Sequence, residues 1–151
     1  MQLIYHTILL ICLAVAATCD NKNGHIPDCV NYGGIGIGLL LACFVPSNGL
    51  EGAIRDALLV SSGMFWLAMI FESITRREGM GFGDIKLSGV LGTFLGTDGS
   101  IRVISYAAWL AMLHEVFKNK LSRSRQIPFA PYIFFGAVIH EICSCLAVNH
   151  Y

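Results

Sequence analysis

Apolar residues are grouped in six stretches along the chain, and short polar segments separate them. A helix needs about 20 mostly apolar residues to cross the hydrocarbon core of a bilayer. Because most of the stretches approach that length, the pattern predicts a bundle of about six membrane-spanning helices. The predicted spans are Leu3–Cys19, Val30–Val45, Ala53–Phe71, Ile85–Gly96, Ile101–Phe117 and Pro131–Val148.

The fourth stretch, Ile85–Gly96, is the shortest and contains several glycines. A segment of about 12 apolar residues is also compatible with a re-entrant or tilted element. The connection to the fifth span is predicted at Thr97-Asp98-Gly99-Ser100, whose residue types are typical of a turn on the outer side.

The composition supports a membrane protein. Of the 151 residues, 55% are hydrophobic and 13% are charged, whereas soluble domains carry about 25% charged residues. We therefore predict an all-α membrane protein in which residues 1–151 form a single transmembrane domain. The formal net charge is zero and by itself says nothing about nucleic acid. We expect the protein to lie in the lipid bilayer and not to bind nucleic acid.

The six cysteines contain no CxxC pair. Most of them lie inside apolar stretches, where a free thiol behaves as a small hydrophobic side chain. We therefore expect free thiols rather than a zinc site or a disulfide framework.

Positive charge is distributed unevenly between the predicted loops. Cytoplasmic loops of membrane proteins carry an excess of Lys and Arg. Here the loops after the odd-numbered spans hold eight of the ten, which places those loops in the cytoplasm and both termini outside. The eight residues are Lys22, Arg76, Arg77, Lys86, Lys118, Lys120, Arg123 and Arg125.

Two acids lie at the ends of predicted spans. Asp20 ends the first span and Asp84 begins the fourth. Two crossings separate them and return the chain to the same side, so both are predicted at the cytoplasmic boundary. Two carboxyl groups that meet can share a proton and activate a water molecule, as in aspartic proteases. A helix N-terminus favours the charged form and a C-terminus disfavours it, so we predict that Asp84 carries the charge as the initial base and Asp20 the proton.

A glycine-rich segment, residues 79–83, directly precedes Asp84. Glycine has no Cβ, so the segment can turn sharply and let another backbone or a substrate approach closely. We assign Gly81 and Gly83 to this loop, together with Lys86 just beyond it, as substrate-positioning residues.

A third acid, Asp28, begins the second span directly after Pro27. Proline and an acid are common in a first helical turn without any catalytic role. We therefore rank Asp28 below Asp20 as a catalyst and assign it to substrate positioning.

Two His-Glu pairs resemble the start of the HExxH zinc motif of metalloproteases. The second histidine would have to lie at position 118 or 144, which hold Lys118 and Ser144. Neither motif is complete, and no metal site is predicted.

Three motifs in the same order resemble those of the type IV prepilin peptidases. The segment Arg77–Leu87, followed by Gly92 and Leu95-Gly96, resembles the GxGD signature of that family. Asp20 through Ile26-Pro27-Asp28 resembles its first aspartate motif, and Ile127–Pro131 resembles its IPFGP element, with Ala130 in place of the glycine. Together the motifs are distributed over most of the chain, from Asp20 to Pro131.

The resemblance implies a six-span GxGD aspartic endopeptidase of the bacterial cytoplasmic (inner) membrane, with Asp20 and Asp84 as the catalytic pair. Its substrates would be precursors of type IV pilins or pseudopilins, cut after a glycine near the cytoplasmic face. The resemblance implies no metal and no cofactor for cleavage.

Longer members of that family carry an N-terminal cytoplasmic domain with a four-cysteine zinc site and methylate the new N-terminus. The present sequence starts with the first predicted span and has neither CxxC pair. We therefore expect a short form without methyltransferase activity.

Three alternatives stay open at this point. Preflagellin peptidases are also short, although the IPFAP element favours the prepilin branch. Presenilin-type proteases share the GxGD chemistry but usually have Tyr-Asp where this chain has Cys19-Asp20. A non-catalytic six-span scaffold or transporter subunit would use Asp20 and Asp84 only as structural caps.

Overall fold

A computed structural model describes residues 2–44, 49–75, 81–118 and 129–148. These ranges contain helices and no strand, so the all-α fold class is confirmed for the described part of the chain. The helices are α1 (Gln2–Asn23), α2 (Asp28–Ala42), α3 (Gly49–Thr75), α4 (Phe82–Lys118) and α5 (Ala130–Val148).

Helix α4 combines the fourth and fifth predicted spans and is kinked at Gly96. The backbone at Gly96 has φ 69° and ψ −178°, a positive φ that glycine adopts at little cost. The kink divides α4 into a first arm, residues 82–95, and a second arm, residues 97–118. The turn predicted over Thr97–Ser100 is wrong, because these residues are helical and the chain changes direction at the glycine before them.

The first arm of α4 runs parallel to α2. A Cβ added at Gly34 would lie 3.1 Å from Val90 Cγ1, and one added at Gly38 would lie 2.6 Å from Thr93 Oγ1. Because these glycines have no side chain, the two helices can approach each other closely. The starts of α2 and α4 therefore lie at the same end of the bundle.

The second arm of α4 runs antiparallel to α5. A Cβ added at Gly136 would lie 2.7 Å from the Val103 carbonyl oxygen, and one added at Gly99 would lie 3.6 Å from His140 Nε2. The start of α5 is therefore at the far end of the second arm from the kink.

Helices α1 and α5 are also antiparallel, as contacts at both ends show. His6 Nδ1 lies 2.7 Å from Glu141 Oε1 near the start of α1. Near its end, Asp20 accepts a hydrogen bond from the backbone of Ala130. The end of α1 and the starts of α2, α4 and α5 therefore meet, and we call this region, around Asp20 and Asp84, the acid end of the bundle.

The interior of the bundle is narrow and much of its apolar surface faces outward. Fully buried core side chains include Leu9, Leu13, Leu91 and Ile133. By contrast, α3 exposes large apolar residues along its length, including Trp66 at 65%. Such a surface is unfavourable in water and suits a lipid environment.

One helix among the described residues, Gly49–Ile74, is long and apolar enough to cross a membrane by length and composition. The apolar parts of α2 and α5 are shorter, and the count of six crossings stays a prediction. All six cysteines are free thiols, as the sequence predicted.

Candidate active site at the acid end

Asp20 lies in the last turn of α1 and is 7% exposed. Its Oδ2 accepts a hydrogen bond of 3.3 Å from the backbone N–H of Ala130, the first residue of α5. The first N–H groups of a helix have no partner inside the helix and favour a nearby negative charge. Burial raises the pKa of Asp20, while the Ala130 N–H and the charge of His25 act in the opposite direction. The start of α5 thus orients Asp20 and partly offsets the cost of its burial.

Asp84 lies in the first turn of α4, just outside the predicted span. Its Oδ1 is buried and has no hydrogen-bond partner within the described part of the chain. Burial, and secondly the negative charge of Asp20, raise the pKa of Asp84 to about 7. The effect of Asp20 on this pKa means that the two carboxyl groups interact, so the structure brings them to one site.

The order of protonation predicted from the helix ends is reversed in the structure. A helix N-terminus stabilises a carboxylate by about 0.3–1 kcal/mol at the surface. The rise in the pKa of Asp84 from 3.8 to about 7 corresponds to roughly 4 kcal/mol. Burial therefore outweighs the helix dipole. We assign the proton of the coupled pair to Asp84 and the charge to Asp20, which has an N–H donor.

The two assigned glycines shape the start of α4. The Gly81 carbonyl accepts hydrogen bonds from the N–H groups of Asp84 at 3.0 Å and Ile85 at 3.4 Å. A Cβ added at Gly83 would lie 3.3 Å from Ile26 Cβ, closer than ordinary contact. Gly81 thus closes the first turn that carries Asp84, and Gly83 allows this turn to pack on the segment that follows α1.

Asp28 and Lys86 form an ion pair between the first turns of α2 and α4. Lys86 Nζ donates to Asp28 Oδ1 at 2.6 Å and lies 5.1 Å from the centre of the Tyr32 ring. The side chain of Asp28 is 65% exposed, and ion pairs in contact with water contribute little to stability. The structure therefore places Asp28 with Lys86 at the rim of the site.

Sequence analysis missed Asn31, which is 0% exposed near the start of α2. Its Nδ2 donates to the Gly83 carbonyl oxygen at 3.4 Å. The sequence did contain a signal, because Asn31 is the one amide in an apolar, glycine-rich helix. A buried polar group usually has a specific hydrogen-bond partner, so such an amide indicates a contact with another segment.

Parts of the predicted motifs lie outside the described residues. These are residues 77–80 of the GxGD motif and residues 127–128 of the IPFAP element. The same holds for most of the basic loop residues, so the predicted sidedness stays a prediction: Arg76, Arg77, Lys120, Arg123 and Arg125.

The described residues contain no group of three His, Cys, Asp or Glu side chains that could hold a metal ion. Of the His-Glu pairs seen in the sequence, Glu141 is paired with His6 on α1.

Comparison with known proteins identifies the family. The sequence profile of the type IV leader peptidase family matches residues 7–116, which is more than half of the chain and includes both acids. The chain belongs to the type IV leader peptidase family, as its motifs predicted.

Similar curated proteins are named prepilin leader peptidase/N-methyltransferase. The one from Dichelobacter nodosus is 27% identical over 127 residues, covering 84% of this chain and 42% of the relative. The one from Neisseria gonorrhoeae is 28% identical over 115 residues, covering 74% and 39%. The one from Pectobacterium carotovorum subsp. carotovorum is 26% identical over 138 residues, covering 89% and 50%. The chain thus spans half or less of the length of these relatives, and no solved structure matches it.

Proposed function

We propose that this chain is a membrane-embedded aspartic endopeptidase that removes the leader peptide of type IV prepilins or pseudopilins. Membership of the type IV leader peptidase family supports the reaction class. The observation that carries the proposal is the interaction of two acids from α1 and α4, strong enough for the charge of Asp20 to raise the pKa of Asp84. In this proposal Asp20 and Asp84 are the catalytic pair.

Each acid has a distinct part in the proposed reaction. Asp20, as carboxylate, removes a proton from a water molecule that attacks the scissile carbonyl carbon. Asp84, as carboxylic acid, donates a proton to the carbonyl oxygen, giving a neutral tetrahedral intermediate. When the C–N bond breaks, the leaving nitrogen takes the proton held by Asp20, and the hydroxyl proton returns to Asp84. The pair then holds one proton again, and no covalent enzyme intermediate forms.

The proposed place of cleavage is the cytoplasmic face of the inner membrane. The concentration of Lys and Arg in the loops after odd-numbered spans supports this side for the acid end. Cleavage after a glycine of the leader follows from the resemblance of the motifs to prepilin peptidases. The proposal covers leader cleavage, and the N-methyltransferase part of the relatives' names is not carried over, because half or more of each relative lies outside the match.

Co-expression with an epitope-tagged prepilin tests the proposal. We expect Asp20→Asn and Asp84→Asn each to lower processing by about a thousandfold, as loss of a general acid or base does. Asp98→Asn, a change at an exposed acid of α4, serves as the matched control and should process normally. Unchanged processing in either of the first two variants, at equal protein level, would support the non-catalytic scaffold instead.

A further inference from the structure

The contact between α2 and the first arm of α4 contains one amide among small and apolar side chains. Gly34 faces Val90 and Gly38 faces Phe94 along this contact. Asn31 lies one turn before Gly34 and is completely buried. Its Nδ2 donates to the Gly83 carbonyl oxygen at 3.4 Å, and its Oδ1 receives no hydrogen bond from the described residues.

Packing alone does not account for an asparagine at this position. A buried amide loses its hydrogen bonds to water, and an oxygen left without a donor adds to that cost. A leucine would fill similar space against α4 without it. The amide therefore has a use that offsets its burial, and the contact that it makes is with the peptide group directly before Asp84.

The orientation of Asp84 depends on the backbone of the first turn of α4. Asp84 Oδ1 has no hydrogen-bond partner in the described ranges, so this oxygen is not held by a neighbouring side chain. Gly83 has no side chain of its own that could anchor the turn. It is contacted by Ile26, 3.3 Å from an added Cβ, and its carbonyl is held by Asn31. These two contacts orient the peptide that joins Gly83 to Asp84.

We propose that Asn31 is a positioning residue for Asp84: it holds the Gly83 carbonyl and so fixes the start of α4 in the orientation that brings Asp84 to Asp20. The consequence for cleavage rests on the proposed function. The structural part, that Asn31 holds the first turn of α4, does not, and each part has its own measurement.

Hydrogen exchange on the purified chain in detergent micelles tests the structural part. In Asn31→Leu we expect the amides of residues 81–86 to exchange roughly tenfold faster, since loss of one hydrogen bond eases local opening by about that factor. Thr93→Val is the matched control, because it removes a buried hydroxyl from the same α2–α4 contact away from the acids. It should leave residues 81–86 unchanged. Equal exchange of this segment in Asn31→Leu and the wild type would overturn the inference.

Steady-state cleavage of a prepilin tests the catalytic part. A misplaced Asp84 weakens the transition state more than substrate binding, so for Asn31→Leu we expect kcat to fall at least about tenfold with KM within about twofold. Thr93→Val should match the wild type. If Asn31→Leu and Thr93→Val have the same kcat, Asn31 does not position Asp84.

Asn31→Asp covers the case in which the leucine variant does not fold. It has the same shape and keeps Oδ1 but replaces the donor with a second acceptor. We expect the same faster exchange of residues 81–86 and a pH–rate profile displaced from that of the wild type, because a third acid then lies beside the pair. A wild-type exchange pattern and pH profile in this variant would contradict the inference. If the wild-type chain cleaves no prepilin but the exchange results are as expected, the proposed function fails and the role of Asn31 in holding α4 stands.

Discussion

Two acids lie near opposite ends of the first arm of α4, one buried as a whole and one with a buried Oδ1, and their surroundings differ. Asp56 on α3 is 4% exposed, and its Oδ1 accepts hydrogen bonds from Thr97 Oγ1 at 3.0 Å and from the Arg55 guanidinium at 3.2 Å. Asp84, at the acid end, has a buried Oδ1 without a partner among the described residues and a pKa raised to about 7. The Oδ1 of Asp56 therefore has two donor residues, whereas that of Asp84 has none among the described residues, and burial raises the pKa of Asp84.

The comparison separates an acid whose Oδ1 has donors from one whose Oδ1 has none in the described part of the chain, and the second fits the proposed chemistry. Asp56, whose Oδ1 accepts from Thr97 and Arg55, ties α3 to the kink region of α4. A buried carboxyl group without a donor is costly for the fold, and such groups are concentrated at functional sites. Burial alone does not single out the candidate catalytic acid, because Asp56 is buried as well. The supply of hydrogen-bond donors distinguishes them.

The same substitution at both acids should have the largest and most different effects. Asp84→Asn should lower prepilin cleavage by about a thousandfold while leaving the chain as stable as the wild type or more so, because a costly buried acid is removed. Asp56→Asn should keep cleavage and lower the free energy of unfolding by roughly 1–3 kcal/mol, since hydrogen bonds to a charged group are lost. Cleavage of a tagged prepilin and thermal unfolding in micelles measure the two effects. If Asp56→Asn lost cleavage at unchanged stability, Asp56 would have a part in the reaction and the difference between the two acids would not hold.

The pH dependence of stability should be carried by Asp84. In the unfolded chain an aspartate releases its proton near pH 4, whereas in the folded chain Asp84 releases it near pH 7. The bound proton therefore stabilises the fold fully below about pH 4, and this contribution is lost as the pH rises towards 7, by on the order of 4 kcal/mol. Asp84→Asn cannot titrate and should lose most of this decline between pH 4 and 8, while Asp56→Asn should keep it. Identical pH profiles of thermal unfolding for Asp84→Asn and the wild type would contradict the assignment of the proton to Asp84.

The packing around Asp56 gives a smaller and purely structural effect. A Cβ added at Gly92 would lie 2.6 Å from the Asp56 carbonyl oxygen and 2.7 Å from Ala57 Cα. Since both are backbone atoms, Gly92→Ala must push α3 and α4 apart, and we expect a loss of about 1–3 kcal/mol in the free energy of unfolding. Gly63→Ala on α3, where an added Cβ meets nothing within 4 Å, is the control and should not destabilise. Equal unfolding temperatures for the two variants would show that this contact is looser than described.

The ion pair at the rim of the acid end should have the smallest effect. Lys86 and Asp28 lie 2.6 Å apart, but both side chains reach the surface. We expect the coupling free energy between Lys86→Gln and Asp28→Asn to be close to zero in a double-mutant cycle of thermal unfolding, because water screens the pair. A large coupling would mean that the pair is shielded from water and belongs to the interior of the site.

Several features of the site followed from local sequence patterns. The helix bounds agree with the apolar stretches to within a few residues, because hydropathy along the chain decides which segments are helical in lipid. Counting two crossings between Asp20 and Asp84 predicted that they lie at one end of the bundle, and the structure has them there. The predicted turn after the fourth span was wrong by one residue. The polar cluster Thr97–Ser100 is typical of a turn, but the chain changes direction at Gly96, which has a positive φ.

The helical class and the family followed from residue types and their spacing along the chain, which also predicted Asp20 and Asp84 as the acid pair. The assignment of the proton to Asp84 needed the packed helices, because the burial of its carboxyl group arises from segments that are distant in sequence and exceeds the helix-end effect that the sequence reveals. The same holds for the contact of Asn31 with Gly83, which are 52 residues apart. Such pairings depend on how α2 and α4 pack, and no local pattern contains that information.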